Sequence, residues 1–221
     1  YNRYQLRTNI DHKINDYFKL GTTLNISYGK SENIKTSISD VLRLNPVDPV
    51  YDTEGNYNFE DSFSGANFTN PVANNDLISD KTISKRTLVS VFGEIKLLEG
   101  LSFRPTFSAD VSDVERKRYE PSTLPLSLLN NRGGDALMDE SESTRIITEG
   151  LLNYNKNIND NNRIDAVLGV TYQRDRNSFK SIEANNLFTD VTLFNAVQLA
   201  DKDQVSARSG SGGRQILSFL G

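Results

Sequence analysis

From Leu101 to Ser112 apolar and polar residues alternate without exception. Leu101, Phe103, Pro105, Phe107, Ala109 and Val111 fall on one face, and Ser102, Arg104, Thr106, Ser108, Asp110 and Ser112 fall on the other. A period of two over twelve residues is the signature of a β-strand. Phe18 to Gly29 repeats it, with Phe18, Leu20, Thr22, Leu24, Ile26 and Tyr28 on the apolar face. Weaker versions predict strands over Arg3–Ile10, Leu88–Leu97, Ile146–Tyr154 and Arg163–Gln173, and Gln215–Leu220 begins a seventh. No helical periodicity of comparable strength occurs. Pro105 withholds a ladder donor, so a β-bulge is expected there.

The connections alternate between short and long. Residues 11–17, 98–100 and 156–162 are compact and rich in Asn, Asp and Gly, as tight turns require. Residues 30–84, 113–143 and 174–213 are long and hold five of the six prolines. This order places every short turn at one rim and every long loop at the other, the arrangement of an outer-membrane β-barrel. Strands of globular proteins centre on about five or six residues, whereas a tilted membrane strand needs about nine to eleven. The apolar faces, with Tyr4, Leu6, Thr8 and Ile10 in the first strand and Val89, Val91, Gly93, Ile95 and Leu97 in the third, carry no charge. Arg7, Lys19, Glu94, Lys96, Arg104, Asp110, Glu149, Arg163 and Asp165 take the opposite face. Outward aromatics stand near strand ends, Phe18 and Tyr154 toward the short turns and Tyr4, Tyr28 and Tyr172 toward the long loops, as in an interfacial girdle. The expected fold is an all-β antiparallel transmembrane barrel segment of about seven strands, residues 1–221 forming part of one barrel domain. A soluble sugar-binding or adhesive β-domain, such as a β-sandwich, and a passive porin are the alternatives.

Composition narrows the functions. A mean hydropathy of -0.51 and apolar runs no longer than AVLGV exclude spanning helices, which need about 20 apolar residues. It leaves a barrel open, because alternation dilutes the signal. The net charge of -4 with scattered Lys and Arg gives no footprint for nucleic acid. With no cysteine, disulfides, thiolate metal sites and a cysteine nucleophile all drop out. The chain opens on Tyr1 at a strand edge without a leader peptide, and is expected to be a piece of a longer protein.

Five ordered stretches then carry a resemblance: YQLRTNIDHKINDYFKLGTTLNISYGK, LRLNPVDPVYDTEGNY with NPVA downstream, GEIKLLEGLSFRPTFSADV, LLNYNKNINDNNRIDAVLGVTYQ and ILSFLG. From Tyr4 to Gly221 the chain resembles the barrel of SusC/RagA-type TonB-dependent transporters of Gram-negative bacteria. The resemblance implies a 22-stranded barrel plugged by an N-terminal domain, with the plug and the remaining strands outside this chain. It implies localisation in the outer membrane and energy-coupled import of large nutrients, most often oligosaccharides. A SusD-like surface lipoprotein and TonB would be the protein partners, the latter reached through the N-terminal region.

Little in the sequence suggests catalysis, and no cofactor or metal is expected. His12, the single histidine, lies in a polar short turn and reads as solvated. Asp110, Asp113 and Glu115 read as a hydrated strand end. Asp52, Glu54 and Asp61 around Gly55 lack calcium-loop spacing and read as an ordinary turn. SGSGG at 209–213 reads as flexible loop. The more promising chemistry is binding. The first long loop carries Tyr51, Tyr57 and Phe59, with Phe63 and Phe68, among amides and carboxylates suited to sugar rings; packing of the loop on itself is the plainer use of the same aromatics.

Overall fold

The computed structural model describes residues 1–60, 69–159 and 162–221. Among them seven strands form one antiparallel sheet in chain order: β1 (Asn2–Lys13), β2 (Phe18–Glu32), β3 (Ser79–Leu98), β4 (Leu101–Glu120), β5 (Gly134–Asn159), β6 (Asn162–Leu187) and β7 (Val205–Leu220). Three short helices lie in the long connections: α1 (Ile38–Leu42), α2 (Pro71–Leu77) and α3 (Pro125–Leu129). No helix among the described residues is long and apolar enough to cross a membrane.

The register joins the apolar faces read from the sequence into continuous rows. Leu24 faces Val89, which faces Ala109, which faces Ile146. Phe18, Ile95, Phe103, Leu152 and Leu168 form another row toward the short turns. No second sheet covers this face among the described residues: Phe107 is 47% exposed, Leu168 59% and Phe219 78%. A compact protein of 24.8 kDa has an accessible surface of about 10,000 Å², and this chain has 15069 Å². A soluble sandwich would have buried these rows; a single sheet with an uncovered apolar band requires lipid.

Both edges of that band step along the strands. Tyr172 stands, through Thr148, Phe107 and Val91, level with Thr22, six positions before Tyr28. At the other edge Ile164 lies four positions beyond the row that begins at Phe18. The band thus slips by about one to one and a half residues per strand. With about 3.3 Å per residue and about 4.8 Å between strands, that slip is a tilt of about 35–45°, the tilt of membrane barrel strands.

The short turns form as their residues dictate. Asn15 Oδ1 accepts from the N–H groups of Tyr17 (2.9 Å) and Phe18 (2.8 Å), closing the β1–β2 turn. Glu99 and Gly100 connect β3 to β4, with Gly100 at φ 79°, where a β-carbon would also strike the Asn155 carbonyl of β5. The predicted turn at 156–162 shrinks to residues 160–161, which lie outside the described residues.

Toward the long-loop rim the strands run well past their sequence limits, so the predicted connections 30–84, 113–143 and 174–213 contract to 33–78, 121–133 and 188–204. Strands β5 and β6 reach 26 residues each, about 50 Å beyond what the apolar layer needs. These extensions are polar on both faces, so no hydrophobic period marks them, and cross-strand ion pairs help hold them. The SGSGG stretch is β7 strand, paired with β6 from Lys180 to Arg176, and not flexible loop. Asp110, Asp113 and Glu115 likewise sit within β4, not at its end. His12 is exposed as expected but is the last-but-one residue of β1. Pro105 makes no bulge: the register is unbroken across it, and only the pairs to Gly93 and Glu94 are missing. The lost donor points at β3, where Gly93 leaves room for the proline ring.

On the inward face one polar row ties the strands together. Asp110, Arg145, Asp175 and Arg214 stand opposite one another on β4, β5, β6 and β7. Arg86 of β3 completes the row with a bidentate pair to Asp110 at 2.8 and 2.6 Å. Asp175, only 7% exposed, accepts from Arg145 (2.8 Å), Arg214 (2.7 Å) and Gln173 (2.9 Å). Signs alternate along the row, so each inner charge lies between opposites. Asp175→Asn leaves two guanidiniums flanking a neutral group. In the complete protein it is expected to lower the temperature at which the folded, fast-migrating form is lost on electrophoresis, and by more than Arg86→Gln at the row's end. Equal effects would contradict a central role for Asp175.

Candidate functional site

The three long connections meet the same rim, and the first is folded around one residue. Asn70 caps α2, its Oδ1 accepting from Val72 N (3.0 Å) and Ala73 N (3.1 Å). Its Nδ2 donates back to the carbonyls of Val50 (2.8 Å) and Asn58 (2.9 Å). All the bonding capacity of an amide is thereby used, and the side chain is 2% exposed. Pro71 follows at the first helical position, where its missing N–H costs nothing. The NPVA stretch is therefore a cap that pins 50–58 to α2.

Within the pinned segment Asp52 accepts from Glu54 N (2.8 Å) and Asn56 N (2.9 Å), and Gly55 takes φ 88°. The Asn56 backbone bond foremost holds the Asp52 carboxyl below its usual range. This is the ordinary turn expected for Asp52 and Glu54; Asp61 lies outside the described residues.

The turn brings Tyr51 and Tyr57 together as an isolated antiparallel bridge, with ring centroids 5.4 Å apart. Phe59 joins at 6.4 Å from Tyr57. The Tyr57 hydroxyl donates to Asp76 of α2 at 2.9 Å, which raises its pKa. Tyr57 is thus held from both sides, while Tyr51 is 48% exposed. The three predicted binding aromatics form one patch, part packing and part open face; Phe63 and Phe68 lie outside the described residues. The patch has carboxylate and amide neighbours, the groups that pair with hydroxyls or backbone amides of a ligand.

The second and third connections close on each other over a small core of Tyr119, Ala136, Ala184, Leu187 and Ala200, with Phe194 and Val197 packed against it. Gly134 gives the Tyr119 ring its place, since a β-carbon there would strike the phenol. Asp190 fastens the two connections: it accepts from the Tyr119 hydroxyl (2.7 Å), the Ser122 hydroxyl (2.7 Å) and Ser122 N (3.1 Å). Burial pushes the Asp190 carboxyl up, but these bonds outweigh it and hold the group below 3.8. Neither the clasp at Asn70 nor that at Asp190 is visible in the sequence, because the loop partners each one ties in lie 12 to 71 residues away.

The carboxylates Asp110, Asp113 and Glu115 are divided by strand alternation. Asp110 enters the inward row, while Asp113 faces outward near Glu140 and Glu142, their oxygens within 4.8 Å. Lys180 pairs with Glu140 at 3.2 Å, and Lys117 with Glu115. This is a hydrated band of mixed charge.

Asn70→Ala removes the cap and both carbonyl bonds. A loss of about 2 kcal/mol in local stability is expected, which hydrogen exchange would read as roughly thirtyfold faster exchange of the 50–58 amides. For Asp190 the depressed pKa makes its contribution fully present above 3.8 and lost as pH falls through the lower folded value. Pepsin cleavage within 188–204 is expected to rise below about pH 3.8, and Asp190→Asn to abolish that step; an identical profile in both proteins would refute the clasp.

No protein-family profile matches the chain. Among curated proteins it is similar to TonB-dependent receptor P26 of Formosa agariphila, 29% identical over 219 residues, covering 99% of this chain and 22% of the relative. TonB-dependent receptor P3 of the same organism is 23% identical over 201 residues, covering 85% of this chain and 19% of the relative. The chain therefore spans about a fifth of the length of these curated relatives. Among solved structures the RagAB peptide transporter shares its fold at a TM-score of 0.80 and 16% identity, over 98% of this chain and 25% of that one. The RagAB peptide importer in its 'open-open' state matches at 0.79, again at 16% identity and over 98% and 25% of the two chains. Along nearly its whole length the chain is similar in sequence to TonB-dependent receptors and shares the fold of the RagAB transporter, and its tilted apolar band fits the wall of an outer-membrane β-barrel.

Proposed function

We propose that this segment forms part of the wall and outer mouth of an energy-coupled importer of large nutrients, oligosaccharides foremost. The observation that carries the reading is the folded long-loop rim. An aromatic patch of Tyr51, Tyr57 and Phe59 stands there with carboxylates and amides, on strands whose inward face is polar. Aromatic faces stack on the apolar faces of sugar rings, while the adjacent Asp and Asn groups pair with hydroxyls. The inward rows of Arg, Asp, Ser and Thr offer a wettable path along which cargo need not shed all its hydrogen bonds. In this reading a SusD-like surface lipoprotein closes the long-loop rim, and TonB supplies work from the opposite side through a plug encoded elsewhere in the protein. Further strands pair with the free edges of β1 and β7, since unpaired edges are untenable in lipid. The segment itself catalyses nothing.

A second cargo class, oligopeptides, is favoured by one specific observation, the fold shared with a peptide transporter. The same patch accommodates it, because aromatic and amide groups also bind extended peptide backbone. Calorimetric titration of the complete receptor with an oligosaccharide panel and with a tryptic peptide mixture separates the two. Tyr51→Ala combined with Tyr57→Ala is expected to weaken the productive cargo about tenfold or more, in line with loss of an aromatic contact of about 1–2 kcal/mol. Unchanged affinity for both classes would remove the patch from cargo binding.

A further inference from the structure

The outward face of β6 reads Ile164, Ala166, Leu168, Val170, Tyr172 and then Arg174 and Arg176. The change from apolar to doubly basic is abrupt and occurs at the girdle tyrosine. Along a strand tilted by about 40°, two residues climb about 5 Å, so Arg174 and Arg176 stand roughly 5 and 10 Å above Tyr172. The polar layer of a bilayer occupies about 5–8 Å on each side of its apolar core. Arg174 therefore starts at headgroup depth on the long-loop side and Arg176 just above it, within reach of its long side chain, both facing away from the lumen.

Neither makes an ion pair or hydrogen bond among the described residues. Arg174 stands opposite Ile146 and Gln215, and Arg176 opposite Thr144 and Gly213, so no acid faces either across the strand pairs. The nearest outward acid along β5, Glu142, stands opposite Ser178 and accepts its hydroxyl at 3.3 Å. By contrast the outward Lys117 and Lys180 are both paired with glutamates. Beside the two arginines β7 presents only Ser211, Gly213 and Gln215 on the outward face, and a cavity of about 540 Å³ along this strand pair is lined by both arginines together with Asp175 and Arg214 of the inward row. Gly213 must be glycine, because a β-carbon would lie 2.7 Å from the Asp175 carbonyl. No side chain at that position fills the space next to Arg176.

We propose that Arg174 and Arg176, with Ser211 and the open backbone at Gly213, form a site for the phosphate group of an outer-leaflet lipid. Two planar guanidiniums one strand repeat apart match a phosphate's oxygens with parallel N–H donors. The serine hydroxyl adds a neutral donor, and the glycine lets the headgroup lie against the wall. The acyl chains then run down the adjoining row of Tyr172, Leu217, Val170 and Phe219, which is apolar and exposed. The site fixes the barrel's height in the membrane on this side and couples the β6–β7 pair to the outer leaflet.

The test uses the complete receptor in detergent micelles with diphosphorylated lipid A as probe, its dephosphorylated form as the matched apolar control, and inorganic phosphate alone. Native mass spectrometry reads bound lipid for the wild type, for Arg174→Gln with Arg176→Gln, and for a charge-matched control, Lys35→Gln with Arg43→Gln in the first loop. Wild type and control are expected to retain the phosphorylated lipid at least tenfold better than the β6 variant, with the dephosphorylated lipid held equally weakly by all three. Heat-dependent electrophoretic mobility verifies that each variant is a folded barrel. Equal retention by the β6 variant overturns the site, and equal loss in the first-loop control reduces it to net charge. Competition by inorganic phosphate at the lipid's own concentration overturns the assignment to a lipid headgroup.

Discussion

Every backbone N–H and C=O that crosses lipid must find its partner inside the protein, because hydrocarbon offers none. The continuous antiparallel ladder from β1 to β7 is the answer to that constraint, and much else in the chain is arranged around it. The ladder explains why consecutive strands are neighbours without crossovers and why the turns at one rim shrink to a few residues. It also explains why Pro105 is accommodated opposite a glycine without any shift in register. A bulge would have moved every later side chain on β4 to the wrong face, exchanging Phe107 for Ser108 at the lipid. Losing two bridges to β3 costs less than that inversion.

The sequence was legible where the two sides of a strand face different solvents. Within the apolar band the lipid side must be uncharged and the lumen side is polar, so a period of two appears and the strands, their faces and the short turns can be read directly. Above the band both sides face water, and the period vanishes even though the strand continues. That is why β5 and β6 extend so far beyond Ile146 and Gln173, and why SGSGG resembled a loop. In β7 the small residues are strand because β6 supplies a complete ladder, a tertiary fact that local propensity cannot carry. The same distance in sequence hid Asn70, Asp175 and Asp190. Each is an ordinary polar residue until partners from other strands or loops converge on it. The aromatic patch was legible by contrast, since Tyr51, Tyr57 and Phe59 are local and need only one turn to meet.

The long loops are therefore not slack chain between strands. On the proposed reading, a loop that presents a binding face to large cargo needs its side chains fixed before contact, or binding loses the entropy of ordering them. Asn70 fixes the first loop with four bonds from one side chain, and Asp190 fixes the second to the third with three. Both are polar solutions, suited to a rim too wet and too thin to bury much apolar surface. The one apolar core there is small, built largely of alanines around Tyr119 and Leu187.

Alternation then gives one strand two separate functions that can change independently. On β6, Asp175 faces inward and ties the lumenal row to β5 and β7, while its neighbours Arg174 and Arg176 face the opposite way toward the lipid headgroups. The three are consecutive in the chain, yet the sheet lies between them, and the ladder fixes which solvent each one meets. Up to Arg176, a substitution at an odd position of β6 acts on the inner face of the wall, and one at an even position acts on its seat in the membrane. On the proposed reading, cargo selection then falls to the loops, whose geometry rests on the strands.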